Sequence, residues 1–284
     1  MTTAAATGPI DADLAEALHG EMVPKFLATQ DASGKPNVVP IISLDATDDR
    51  TMIFGELFMW KTRANLEADA RVSAAVLTED LRVWTMRGRF RGFIDTGPYL
   101  EEMNQKEIFR YNAYVRVSRV GIIDVEAVTG AWRRSTLGVA AELLTVMAMK
   151  PLIVRRGLGN PKTGERIPPR VSEKFARTHA LKVIAYRGPE GHPEIAPAFS
   201  LLPASSQGMV FRARHDNAGL RALGPNTPIA ASVITMDPIA YQVKGVYAGQ
   251  QLTPAGRIGR IRVDEVYSAS PPLPGEPIAL QPPA

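Results

Sequence analysis

The sequence predicts a mainly β (α+β) protein in which two copies of one small antiparallel barrel share a single chain, joined by a helical linker. Three observations predict it. Blocks of sequence recur at one fixed offset, each copy reads as a run of short strands bounded by turn residues, and each copy leaves room for only one short helix.

The repeat is taken first because a fixed period decides the architecture. The run from Gly34-Lys35-Pro36 through Pro40 to Ser43-Leu44 returns as Gly191-His192-Pro193 through Pro197 to Ser200-Leu201, 157 positions on (191 against 34). Met52-Ile53-Phe54 matches Met209-Val210-Phe211 at the same offset. So do Ala74–Thr78 with Ala231–Thr235, and Trp84, Arg87, Gly88 and Gly92 with Tyr241, Lys244, Gly245 and Gly249. Four blocks at one offset establish a duplication.

Within the first copy, strands are expected at 26–30, 36–43, 51–54, 72–78 and 81–94, with a helix at 61–68. The long strand alternates: Trp84, Met86, Gly88 and Phe90 share one face, and Thr85, Arg87, Arg89 and Arg91 the other. Last strands are expected at 120–128 and 257–267. Strands in a meander with one short helix argue for a small barrel. Between the copies, 137–149 is helical and apolar, either a buried linker or a partner-facing helix. Gly157 to Pro169 reads as an exposed loop. The expected organisation is a barrel at 11–132, a linker at 133–172, a second barrel at 173–270 and a proline-rich tail at 271–284, extended or disordered.

Composition removes several function classes. Cysteine is absent, which excludes disulfides, thiolate metal sites and thiol nucleophiles. The four histidines have no metal-ligand spacing, so no metal is expected. A net charge of +4 arises from 33 basic against 29 acidic residues, with no basic run interleaved with aromatics, so nucleic acid is not an expected partner. There is no G-x-S-x-G elbow or phosphate-binding Walker loop, and Gly157-Leu158-Gly159 lacks the third glycine of a dinucleotide fingerprint. No apolar run approaches the roughly 20 residues of a membrane span. The short uncharged N-terminus lacks signal-peptide features. The expectation is a cytoplasmic protein without a membrane partner.

The segment from Phe26-Leu27-Ala28-Thr29-Gln30 to Val38-Val39-Pro40 resembles the opening of the pyridoxamine 5′-phosphate oxidase-like, FMN-binding split-barrel superfamily. Lys61-Thr62-Arg63-Ala64-Asn65-Leu66, followed by Arg71-Val72-Ser73, is similar to that family's K-T-x-x-N-L and R-V-S segments. The resemblance covers about residues 15–130 and, more weakly, 175–270. It implies FMN as cofactor and an oxidoreductase of a small molecule, with the flavin reduced by NAD(P)H or a similar donor. The alternative is a protein that holds flavin, haem or another planar ligand without turnover. Such proteins form dimers around their flavins, so the tandem copy implies a pseudo-dimer within one chain, with further homo-oligomers open.

The resemblance also implies site residues. Lys61 and Thr62, at the start of a helix, would take the phosphate, since free N–H groups and the helix dipole favour an anion there. Val39, Pro40, Ile41, Ile42 and Ser43 would lie along the flavin, and Pro40, unable to donate a ladder bond, marks an edge or bulge. Trp60 would flank the ring or simply pack, and Arg87 would stabilise charge near reduced flavin or sit on a solvated face. Trp132, Arg133 and Arg134 would reach the substrate. The chain departs from the oxidase proper at Leu44, where a phosphate-binding lysine belongs, and at Trp60-Lys61-Thr62, where that family has S-R-K. In the second copy His215-Asp216 replaces Lys61-Thr62, so its phosphate site is expected to be weak or lost.

Overall fold

The computed structural model describes residues 9–110, 116–155, 167–213, 218–237, 239–254, 256–270 and 275–279. Two compact units emerge, one holding Thr2–Ser33 and Val39–Arg133, the other Gly34–Val38 and Arg134–Ala284. The N-terminal sheet and the C-terminal sheet each have seven antiparallel strands.

The N-terminal copy opens with helix α1 (Ala12–His19), which starts where the Asp11 carboxylate accepts the Leu14 N–H at 2.8 Å and which buries Leu14, Ala17 and Leu18. There follow β1 (Lys25–Gln30), β2 (Pro36–Pro40), β3 (Asp45–Ala46), β4 (Thr51–Gly55), α2 (Trp60–Ala68), β5 (Arg71–Leu77), β6 (Arg82–Ile94), α3 (Pro98–Gln105), α4 (Glu107–Arg110) and β7 (Val120–Arg133). The strand order is β2-β1-β5-β6-β7-β4-β3. Leu27, Phe54, Val72, Val76, Trp84, Met86 and Ile123 fill its core.

The C-terminal copy follows α5 (Thr136–Arg155) and α6 (Pro169–Ala176). It comprises β8 (Leu181–Arg187), β9 (Pro193–Pro197), β10 (Leu202–Pro203), β11 (Gly208–Arg212), α7 (Ala218–Ala222), β12 (Pro228–Ile234), β13 (Ala240–Thr253) and β14 (Gly256–Ser268). Its order, β10-β11-β14-β13-β12-β8-β9, is the first sheet's order strand for strand, read from the other edge.

The duplication extends to irregularities of backbone. The β6–β7 pairing shifts register between Arg87 and Gly88, and the β13–β14 pairing shifts between Lys244 and Gly245. A Cβ on Gly88 would lie 2.4 Å from the Asp124 carbonyl oxygen, and one on Gly245 1.9 Å from that of Arg262, so both bulges demand glycine. Gly121 and Gly259 likewise admit the rings of Phe54 and Phe211, which would stand 2.3 and 2.4 Å from an added Cβ. Gly121→Ala or Gly259→Ala is therefore expected to cost about 2–4 kcal/mol of stability, since a buried ring must leave its rotamer. Denaturant unfolding of the two variants measures it, and a loss under about 0.5 kcal/mol would contradict the packing described.

Helices differ between the copies. One face of β4 and β7 in the first copy, carrying Ile53, Val120 and Ile122, is covered by Met103 of α3 and Phe109 of α4. The matching face in the second copy, carrying Val210 and Ile258, is covered by Leu143, Val146 and Ile153 of α5.

Several expectations need correction. The second strand ends at Pro40 rather than running to 43, because the chain turns there, burying Ile41, Ser43 and Leu44 and leaving Ile42 exposed. As the proline suggests, β2 is an edge strand. Leu81 belongs to the preceding turn, with φ at 61°, so β6 begins at Arg82. The apolar helix runs on to Arg155, and Thr136–Val154 is long and apolar enough by length and composition to cross a membrane, against the expectation that no such segment exists. In the tail, Gly275–Ala279 is docked on β14: Ile278 donates its N–H to the Val266 carbonyl at 2.8 Å and packs on the C-terminal core. Most of the expected Gly157–Pro169 loop, and His215 and Asp216, lie outside the described residues.

A feature not legible as part of the repeat is a buried lysine in each copy. Lys182 is fully buried opposite Val233, its ammonium lacks a hydrogen-bond partner, and burial pushes its pKa from 10.5 down to about 8. Lys25, in the same register opposite Val76, is also pushed down to about 8, by burial first and by nearby Lys106 second. The unfolded chain holds these protons up to about pH 10.5 and the folded chain only to about pH 8, so stability rises as pH climbs through that window and the full penalty stands below it. Lys182→Met is expected to raise stability at pH 7 by about 3 kcal/mol. It is also expected to flatten the rise of melting temperature across that window, and an unchanged pH profile would contradict the assignment.

Candidate functional site

In the N-terminal copy the loop after β2 is tied to the end of β4, shortly before α2 begins. Ser43, buried in the loop after β2, donates its hydroxyl to the Gly55 carbonyl at 3.2 Å and accepts the Gly55 N–H at 3.1 Å. One side chain thus replaces two ladder bonds and ties the 39–43 segment to the end of β4. Four residues later the chain enters α2. Of the residues expected at the site, Ser43 is joined by these bonds to β4, and Trp60 to Thr62 open α2.

Helix α2 begins in an unusual way. Its N-cap is Met59, which offers no side-chain acceptor, and its first turn contains no acid. By contrast α1 has both the Asp11 cap and Asp13. Helices α3 and α6 also lack a side-chain cap but start on proline, whose missing N–H leaves one orphan donor fewer. At α2 a cation, Lys61, stands at the second position of the first turn. Thr62 is buried, and Asn65 one turn on donates to the Thr29 hydroxyl at 3.0 Å, anchoring the helix on β1. The nearest acid, Glu56, is neutralised by Arg119 at 2.7 Å and Arg63 at 3.6 Å.

Apolar surface stands beside this cationic helix start. Ile42 is 43% exposed, Phe58 49% and Trp60 57%, and the Phe58 and Trp60 rings meet edge to face at 6.4 Å between centroids. Phe58 holds φ at 48°, a conformation a bulky residue rarely adopts, and it was not singled out from the sequence. The only signal for it was the aromatic spacing Phe58-Met59-Trp60 just before Lys61. Arg87 is half-buried on β6 opposite Ser73 of β5, which in turn lies opposite Ala28 of β1. Arg134 is engaged by Glu142 rather than open to a substrate.

A concavity of about 250 Å³ lies beside α1 and is lined by Asp11, His19, Asp48, Asp49 and Glu102 among others. Its carboxylates would repel a phosphate. In the C-terminal copy the counterpart of Ser43 is Ser200, which still braces the strand end by accepting the Arg212 N–H at 3.1 Å. Its hydroxyl, however, donates to Glu142 of α5 at 2.6 Å.

Ser43→Ala is expected to cost about 1–3 kcal/mol, because the buried Gly55 N–H and carbonyl lose their shared partner. Urea unfolding tests this, and a neutral substitution would show that the brace is dispensable.

Together the two sheets describe a split β-barrel whose strand order occurs twice in the chain. Residues 15–134 match the family model described as Pyridoxamine 5'-phosphate oxidase, and the N-terminal domain belongs to that FMN-binding split-barrel family. No curated protein matches the chain significantly. Among solved structures, HupZ of Group A Streptococcus is 25% identical over 43% of this chain and 99% of its own, with a TM-score of 0.36. An FMN-binding protein from Syntrophomonas wolfei is 15% identical over 43% and 85%, with a TM-score of 0.37. An F420 reductase is 22% identical over 42% and 96%, with a TM-score of 0.32.

Proposed function

We propose that the chain is an FMN-dependent oxidoreductase of a small molecule, in which NAD(P)H or a similar donor reduces the flavin. The observation that carries this reading is the uncapped, acid-free start of α2 with Lys61 and Thr62 in its first turn beside exposed Phe58 and Trp60. The donor set fits the cofactor. Lys61, the Thr62 hydroxyl and the helix N–H groups would hold the phosphate. The aromatic pair and Ile42 would shelter the ring, and backbone groups of Val39 to Ser43 would meet its polar edge. FMN supplies hydride and electron transfer; the protein supplies orientation and electrostatics. Arg87 would contribute positive charge near the reduced ring.

Glu56, four residues before α2, is held by two arginines and so is not poised for proton transfer. That observation favours a second reading, a holder of flavin, haem or another planar ligand without turnover. Titrating the purified protein with FMN and following fluorescence quenching tests the first step. Lys61→Ala is expected to weaken binding at least tenfold, about 1.4 kcal/mol or more, with an unchanged circular dichroism spectrum. Unchanged affinity in that variant would remove Lys61 from the site. FMN binding without NADH or NADPH oxidation would favour the second reading.

A further inference from the structure

We propose that α5 docks the protein flat on an anionic lipid bilayer. One side of this helix is committed to the C-terminal unit. Leu143, Val146 and Ile153 are buried with Leu202, Val210 and Ile258, and the buried Glu142 carboxylate is bound by Ser200 and Arg134. The other side carries Leu137, Ala140, Ala141, Leu144, Met147 and Ala148 at spacings of three and four, all exposed. Leu137 is 84% exposed and Leu144 64%, so this stripe is apolar surface that the fold leaves open.

Length and composition alone would let Thr136–Val154 cross a bilayer. Crossing would strip Leu143, Val146 and Ile153 from the sheet and carry Glu142 into hydrocarbon, so the helix lies in the interface with only its open stripe submerged.

Charge selects lipid over a second copy of the chain. Glu142 is the one acid in α5 and is already ion-paired. Lys150 stands on the helix and Arg212 beside it, its guanidinium reaching the Thr145 hydroxyl at 3.4 Å. Two copies pairing stripe to stripe about a two-fold axis would bring like charges together. An anionic headgroup layer meets the same cations favourably, and an apolar helix face beside basic charge supplies the two signals that stable surface binding needs.

The test is cosedimentation of the full chain with sucrose-loaded vesicles of phosphatidylcholine alone or mixed with phosphatidylglycerol. Binding is expected to the mixed vesicles, to weaken as salt is raised, and to drop at least tenfold in the L137E/L144E double variant. Both positions are exposed, so the variant keeps its fold, checked by circular dichroism. No binding by the parent protein, or equal binding by the variant, would overturn the proposal. A dimer in sedimentation that the double variant dissolves, without vesicle binding, would also overturn it and assign the face to a second copy.

Discussion

A seven-stranded antiparallel sheet encloses a core only if its longest hairpin bends, and the bend needs a residue without a Cβ. In this protein that constraint falls on Gly88 and Gly245, where the partner strand's carbonyl oxygen would stand 2.4 and 1.9 Å from a side chain. The register shifts at these two glycines let β6 and β13 coil around their cores. Everything downstream depends on that coiling. It brings Phe90 and Phe93 onto Phe54, with centroids 6.2 and 5.9 Å from it, and sets β4 where Gly55 can be braced by Ser43.

The same constraint explains what the copies share and where they have parted. Strand order, bulges and the glycine beneath each phenylalanine are common because a barrel without them does not close. The helices answer to looser demands. An apolar sheet face must be covered, but α3 and α4 serve in one copy and α5 in the other. Gly55 in the first copy becomes Arg212 in the second, and the serine hydroxyl that turns to Gly55 in one turns to Glu142 in the other. The two strand ends therefore present different chemistry on one scaffold, as expected when duplication frees one copy.

Much of this was legible in the sequence, for identifiable reasons. The strands were readable because they alternate with period two between turn residues, and the duplication because Gly34 to Leu44 keeps its spacing in Gly191 to Leu201. The grouping of Val39–Ser43 with Trp60–Thr62 followed from a family resemblance, and the Ser43 hydroxyl ties the first segment to Gly55 at the end of β4. Other features carry no local signal. Phe58 at positive φ, Arg134 drawn to Glu142, and a lysine buried in each core depend on contacts distant in sequence. The end of β2 was misjudged because Ile41-Ile42 reads as strand, whereas Ser43 finds its partner twelve residues on. The docking of Ile278 was hidden by the prolines around it.

The central claim is that the N-terminal copy, through the start of α2, holds one FMN per chain. The most direct measurement is to purify the protein, denature it and quantify released flavin against protein, adding FMN first if little is retained. The account predicts one FMN per chain. No flavin, with none taken up on addition, would contradict it, and two per chain would show that the second copy kept a site of its own.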